Sequence, residues 1–447
     1  PIKKNKKKPN RALINLYRRY YRIIGMVIGC AGLICLPFIR YLVKDDIPEE
    51  LNIYLLYLLY LGETVVSYWL FAYKAALFQA HQRVDVISRI RLFVTLFKFA
   101  FQLIAIVVIR DYYSVVMVIL LSEIINNIAT GIAADKMYPE YRASGRLSKE
   151  KTSDVNRRIR DLFTAKISAR VVHSSDSIVI SAFLGLSILA GYQNYFYIVT
   201  ALMAVIEIFF TACMAGIGNS IILETKEKNY ADLKKITFLI AWISGVCASC
   251  LLCMYQPFMR VWMNHDENLM LGMGEVICIC VYFFIYELNR VVNIYKESAG
   301  LWRETRFVPL ANAVVNLTLN LITVRFWGLY GVLLSTVIAF VCVEMPLLIH
   351  HLFRTIFERK LEREYVINLM LYTGVCILAC VLSFLICGMI RVNDVARLFI
   401  NAAVCLTVSN LCFFAAFSRK PEFAQCRAMA VRMAKEKLDK IRGKKKS

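Results

Sequence analysis

Residues 92–133 read LFVTLFKFAFQLIAIVVIRDYYSVVMVILLSEIINNIATGIA. Two apolar runs, 92–109 and 112–133, flank the charged pair Arg110-Asp111. A bilayer core about 30 Å thick is crossed by roughly 20 apolar residues in a helix, and each run is close to that length. Backbone polar groups in hydrocarbon must be satisfied within the segment, so both runs read as helices. The short alternating strands of a closed barrel are missing from the sequence. The same pattern recurs at 23–43, 53–78, 163–185, 193–222, 236–255, 269–295, 308–324, 328–351, 366–390 and 395–417. The fold class is therefore an all-α integral membrane protein with about twelve transmembrane helices. Composition agrees: 59% of residues are hydrophobic and mean hydropathy is +0.56, whereas soluble domains are about 45–50% apolar.

The net charge of +22 invites a nucleic-acid reading, but the bases sit in loops and at the two ends. With the N-terminus inside, the regions 1–22, 79–91, 134–162, 223–235, 296–307, 352–365 and 418–447 hold 42 of the 54 lysines and arginines. That alternation follows the positive-inside rule. It predicts both termini in the cytoplasm and no nucleic-acid partner. The basic tail, 418–447, suits anionic lipid headgroups.

Of fifteen cysteines, Cys30, Cys35, Cys247, Cys250, Cys253, Cys278, Cys280, Cys376, Cys380 and Cys387 lie in apolar runs. Small thiols there behave as buried hydrophobes. Cys250 and Cys253 have zinc-like spacing, but no second pair or histidine follows in a polar loop. No metal and no cofactor are expected. A phosphate-cradling GK[ST] loop is lacking, as is a large outer loop with paired carboxylates, so the chain does not read as an enzyme.

An internal repeat organises the helices. Residues 24–40, IGMVIGCAGLICLPFIR, echo 244–260, SGVCASCLLCMYQPFMR, and Arg91 to Arg110 echoes Arg306 to Arg325. Parallel repeats of this kind are a transporter device. The repeat predicts two further helices ahead of Pro1 and about fourteen in all, as two six-helix bundles and a final pair. On this reading 1–133 is an incomplete first bundle, 134–162 a cytoplasmic loop, 163–351 the second bundle, 352–417 the final pair and 418–447 the tail.

A family resemblance rests on particular residues. Ser174 to Leu202 reads SSDSIVISAFLGLSILAGYQNYFYIVTAL, with Asp176-x-Ile178-x-Ile180, Gly185 and Gly191-Tyr192. Gly328-x-x-Gly331-Val332-Leu333 and the opening PIKKNKKKPNRALINLYRRYYRIIG add to it. The pattern resembles polysaccharide biosynthesis proteins of the O-antigen flippase type, within a superfamily that also holds lipid II flippases and multidrug/cation antiporters. The resemblance implies a transporter that flips an undecaprenyl-diphosphate-linked oligosaccharide outward by alternating access. It also implies membrane lipids, a coupling H+ or Na+ and a polysaccharide polymerase or other assembly proteins as partners. A multidrug exporter and a membrane enzyme of polysaccharide synthesis are the alternatives.

Cations within apolar segments are the natural ligands for a diphosphate, because a buried charge costs at least a few kcal/mol. They are Lys74, Lys98, Lys166, Arg170 and Arg290. Arg170 and Arg290 lead, since a guanidinium grips phosphate oxygens bidentately. Lys74 and Lys98 join them, and Asn316 offers an amide to sugar hydroxyls. Snorkelling to the headgroups is the alternative reading for the lysines. Asn312, Asn316 and Asn320 share one helix face, where amides suit either sugars or helix–helix hydrogen bonds. Asp176, Glu207, Glu123 and His173 are the ion-coupling candidates; imidazole changes charge near neutral pH. Glu287 and Arg290, three residues apart, read as a pair on one helix.

Overall fold

A computed structural model describes residues 2–43, 51–81, 83–141, 143–264 and 266–428; the side chains of 2–10, 158, 160–173, 215 and 268 lie outside that description. Every regular element among the described residues is helical. Among the described residues, nine helical stretches are long and apolar enough to cross a membrane, and Ile53–Trp69 with Ala72–Ala80, bent by 44°, makes a tenth. One of the nine, Val308–Thr355, runs for 48 residues. It breaks at Gly328 (φ 56°, ψ −134°) and so holds both runs expected there. The run at 163–185 falls in the helix Lys149–Phe183, where the side chains of Lys166, Arg170 and His173 lie outside the described residues. The protein is thus an all-α, multi-pass membrane protein.

The chain divides into two compact units, residues 1–158 and 159–447. In the first, α1 (Ile2–Cys35) runs into a 3-10 turn at Leu36–Leu42. Helix α2 (Ile53–Trp69) starts where Asn52 Oδ1 accepts the amides of Tyr54 and Leu55, an N-cap that satisfies otherwise orphaned donors. A short α3 (Ala75–Ala80) follows, then α4 (Val84–Ile104), a π turn at Ala105–Ile109, and α5 (Tyr112–Met137), capped by Asp111. Helix α1 packs on α2, and α5 on both α2 and α4. Gly25 and Gly32 let α1 approach closely: an added Cβ would lie 2.4 Å from Trp69 and 2.4 Å from Leu61, respectively. Small residues are what bring membrane helices together. Ile14, Tyr73, Leu77, Phe78 and Ala134 form this unit's buried cluster.

The second unit contains the end of α6 (Lys149–Phe183), α7 (Leu186–Leu223), α8 (Lys226–Trp262) and α9 (Met273–Ser298). It continues with α10 (Val308–Ala339), a π turn at Phe340–Glu344, α11 (Met345–Thr355), α12 (Glu362–Gly388) and α13 (Asp394–Phe417). Helix α8 packs against α9, α12 and α13, while α9 also contacts α7 and α10. Phe210, Phe238, Phe283, Tyr295, Phe353 and Phe413 fill the core. On α7, Val205 is 65% exposed and Ile208 70%.

Candidate functional site

The sequence puts Asn289, Arg290, Asn293, Lys296 and Glu297 at three- and four-residue spacing on α9, so they share one broad face. That face borders an open cavity of about 480 Å3 inside the second unit. Arg290 stands at its wall. Its Nε donates to Glu207 Oε2 at 2.8 Å and its Nη2 to Glu207 Oε1 at 2.6 Å. Nη1 donates to Glu297 Oε2 at 3.2 Å, and the guanidinium lies over the Phe210 ring at 5.7 Å. The fork is thus filled by carboxylate oxygens in the bidentate arrangement that it equally offers phosphate. Lys296 Nζ, also on the wall, donates to Asn293 Oδ1 at 2.8 Å and sits 5.3 Å from the Trp302 ring centre. Tyr282, Tyr286 and Phe340 give the cavity an aromatic side.

Glu287 does not pair with Arg290 as the three-residue spacing predicted. The guanidinium turns toward Glu207 on α7, where it gains two parallel hydrogen bonds that a neighbour on its own helix does not supply. Glu287 is 1% exposed, and its Oε1 has no hydrogen-bond partner among the described residues.

A second polar cluster is buried. Asp176 accepts from Asn320 Nδ2 at 2.7 Å and from Thr336 Oγ1 at 2.9 Å. Asn316 Nδ2 donates to Thr336 Oγ1 at 2.8 Å, and Asn316 Oδ1 accepts from Ser175 Oγ at 3.0 Å. Asn316 and Asn320 are fully buried, and Asn320 Oδ1 has no donor among the described residues. Asp176, Tyr192, Tyr282 and Thr336 help to line a void of about 20 Å3 beside this cluster, enough for one water-sized guest. The Asp176 carboxylate and the Thr336 hydroxyl bring oxygen ligands to this void, which suits a proton or a small hard cation. Asn312, one turn before Asn316, donates instead to Glu344, as does Asn289 from α9. Glu344 closes the π turn and borders the larger cavity. The asparagine face of α10 therefore links the Asp176 cluster to the cavity that holds Arg290.

The expected residues fall into separate groups. Arg290 and Glu207 meet directly. Asp176 and Asn316 meet in the buried cluster, so Asn316 does not line the larger cavity. Lys74, Lys98 and Glu123 belong to the first unit. There Lys74 Nζ donates to Asp135 Oδ2 at 2.6 Å, Lys98 stands 4.9 Å from the Phe99 ring centre, and Glu123 accepts from Asn127 Nδ2 at 3.0 Å. Arg170 and His173 have side chains outside the described residues. Lys296, Trp302 and Glu344 were not singled out as substrate ligands. Lys296 counted toward a loop in the charge pattern, although its spacing from Asn289 and Asn293 was a legible signal.

Residues 2–214 match the family model described as polysaccharide biosynthesis protein. A solved structure, "Lipid II flippase MurJ, inward closed conformation", superposes with a TM-score of 0.65 at 13% identity, over 92% of this chain and 84% of the other. No curated protein matches the chain. The resemblance drawn from the sequence is borne out: by the family model in the N-terminal part, and by the fold along nearly the whole chain.

Proposed function

We propose that this chain, matching a polysaccharide biosynthesis family over residues 2–214 and sharing its fold with a lipid flippase, moves an undecaprenyl-diphosphate-linked oligosaccharide across the bacterial cytoplasmic membrane. The observation that carries the reading is Arg290, a cation at the wall of an open cavity in a membrane-spanning helix bundle, with its fork held by Glu207. A diphosphate entering the cavity exchanges with the Glu207 carboxylate for the same two donors, and Lys296 supplies a second positive charge. While no substrate is bound, Glu207 and Glu297 limit the cost of burying the guanidinium. Because these acids compete for it, substrate is held reversibly, as transport requires. Tyr282, Tyr286 and Trp302 offer faces for sugar rings, and Asn289 and Asn293 offer amides for hydroxyls.

Asp176 is the proposed coupling site for H+ or Na+. Occupation there changes what Asn316 and Asn320 bond to, and α10 carries that change to Asn312 and Glu344 at the cavity. Alternating access is the transport cycle that joins the two sites, and polysaccharide-assembly proteins are the partners on either side of the step.

The test is flipping of a lipid-diphosphate oligosaccharide in vesicles that contain the purified protein, read by its exposure to a lectin outside. Transport that survives Arg290→Ala would defeat the reading. Turnover of the same lipid in detergent would favour an enzyme, and lowered dye accumulation in a sensitive host would favour a drug exporter.

A further inference from the structure

We propose that Cys253, Cys387 and Cys405 form a binding site for a thiophilic d10 cation, Cu(I) or Zn(II), which ties α12 and α13 to α8. The three residues come from α8, α12 and α13, and their sulfurs all lie within 4.8 Å of one another. All three are buried, at 6%, 3% and 0% exposure. Around a metal with bonds of about 2.3 Å, three sulfurs in a plane sit about 4.0 Å apart, so side-chain adjustments alone close the site. Cys250, one turn before Cys253 on α8, packs against the cluster, and its thiol hydrogen-bonds to Cys405.

The surroundings suit such a role. The Cys405 thiol donates to the Ser249 carbonyl oxygen at 3.4 Å, a bond that is given up when ligation removes its proton. Asn401, one turn before Cys405, donates through Nδ2 to the Cys253 carbonyl at 2.8 Å, while its own Oδ1 has no partner among the described residues. Outer contacts of this kind orient metal ligands. A donor set of sulfur alone selects soft cations over Na+, Mg2+ or Ca2+. Ligation needs thiolates, so each ligating thiol releases its proton as the ion enters. Cu(I) is satisfied by the trigonal set, whereas Zn(II) takes Cys250 as a fourth ligand in a tetrahedral arrangement. The CxxC spacing lacked a second pair in the sequence; the fold supplies it from two other helices.

Protein purified in detergent under reducing, anaerobic conditions is stripped with a chelator, offered Cu(I) or Zn(II), desalted, and its metal content measured by mass spectrometry. The unmutated protein should retain one of these ions stoichiometrically, and its unfolding midpoint should rise on loading and fall back on chelation. Cys387→Ser and Cys405→Ser should each weaken retention by more than the ~10–100-fold that loss of an outer-shell contact costs. Cys30→Ser, at an exposed thiol of the first unit, should leave retention unchanged. Loss in Cys250→Ser identifies a four-sulfur Zn(II) site, and retention there identifies three-sulfur Cu(I). No metal on the unmutated protein, or unchanged retention in Cys253→Ser/Cys387→Ser/Cys405→Ser, overturns the proposal. The first of these results does not depend on any variant folding.

Discussion

Arg290 can be a substrate ligand or a structural tie between α7 and α9, and a double-mutant cycle with Glu207 separates the two. The Arg290 side chain is 15% exposed, with Glu207 at 44% and Glu297 at 17%. Removing one partner of a buried pair costs ~3–5 kcal/mol, because the other charge is stranded. Exposed pairs contribute only ~0–1 kcal/mol. Arg290→Gln strands Glu297 in a partly closed place but leaves Glu207 largely able to hydrate, so a loss of about 2–3 kcal/mol is expected. Glu207→Gln leaves Arg290 on Glu297 and should cost about 1 kcal/mol or less. In the double variant, the loss should fall short of the sum of the two single losses by about 1 kcal/mol or less, the coupling between neighbours. Unfolding in detergent measures the stabilities, and complementation of a flippase-deficient strain measures transport. A ligand role requires transport to stay lost in the double variant whatever part of the stability returns. Recovery of both together would refute the reasoning and leave Arg290 as a structural tie. Arg290→Lys should keep part of the activity, since charge remains but the fork is gone.

Asp176→Asn retains hydrogen-bonding atoms for Asn320 and Thr336 but no charge, so the protein should fold while transport loses its dependence on the ion gradient; unchanged ion dependence in vesicles would exclude Asp176 from coupling. Gly331→Ala would place a Cβ 2.6 Å from the Thr323 carbonyl oxygen. Overpacking of that kind costs ~1–3 kcal/mol and should lower the unfolding midpoint. Gly374→Ala, with nothing within 4 Å of the new Cβ, should be neutral or slightly stabilising by the same measurement. In a cysteine-free background, Gly145→Cys should resist an impermeant thiol reagent in intact cells; labelling from outside would reverse the orientation read from the charges.

The helices were legible because hydrocarbon leaves the backbone few choices, so each apolar run of the right length had to be one. Local departures from regularity were not. The π turns at Ala105–Ile109 and Phe340–Glu344 add a residue to a helix without changing its hydropathy. The break at Gly328 was visible only as a gap between two runs. At the site, Arg290 stood out as a cation among apolar residues, and Glu207 as a deep acid. Their pairing is set by how α7 and α9 pack, 83 residues apart in sequence. Helical spacing instead pointed to Glu287, three residues away, whereas Arg290 takes Glu207 from α7 and Glu297 two turns further along its own helix. Asn316 read equally well as sugar ligand or helix glue, and burial beside Asp176 places it in the buried cluster. The thiol cluster was invisible for the same reason as the Arg290 pair: its members meet only after three helices have packed.

The π turn at Phe340–Glu344 bears on how this chain can change over evolutionary time. A π turn is an α-helix that has taken in one extra residue, and its wider turn absorbs the extra rotation. Deleting one residue within 340–344 would therefore restore a regular turn and leave Leu348, Ile349, Leu352 and Phe353 on the core. What would go is the wide turn itself, and with it the placement of Glu344 against Asn289 and Asn312. Among functional descendants of this sequence, a one-residue gap in 340–344 should therefore keep the fold but coincide with changes at residues 289, 312 or 344.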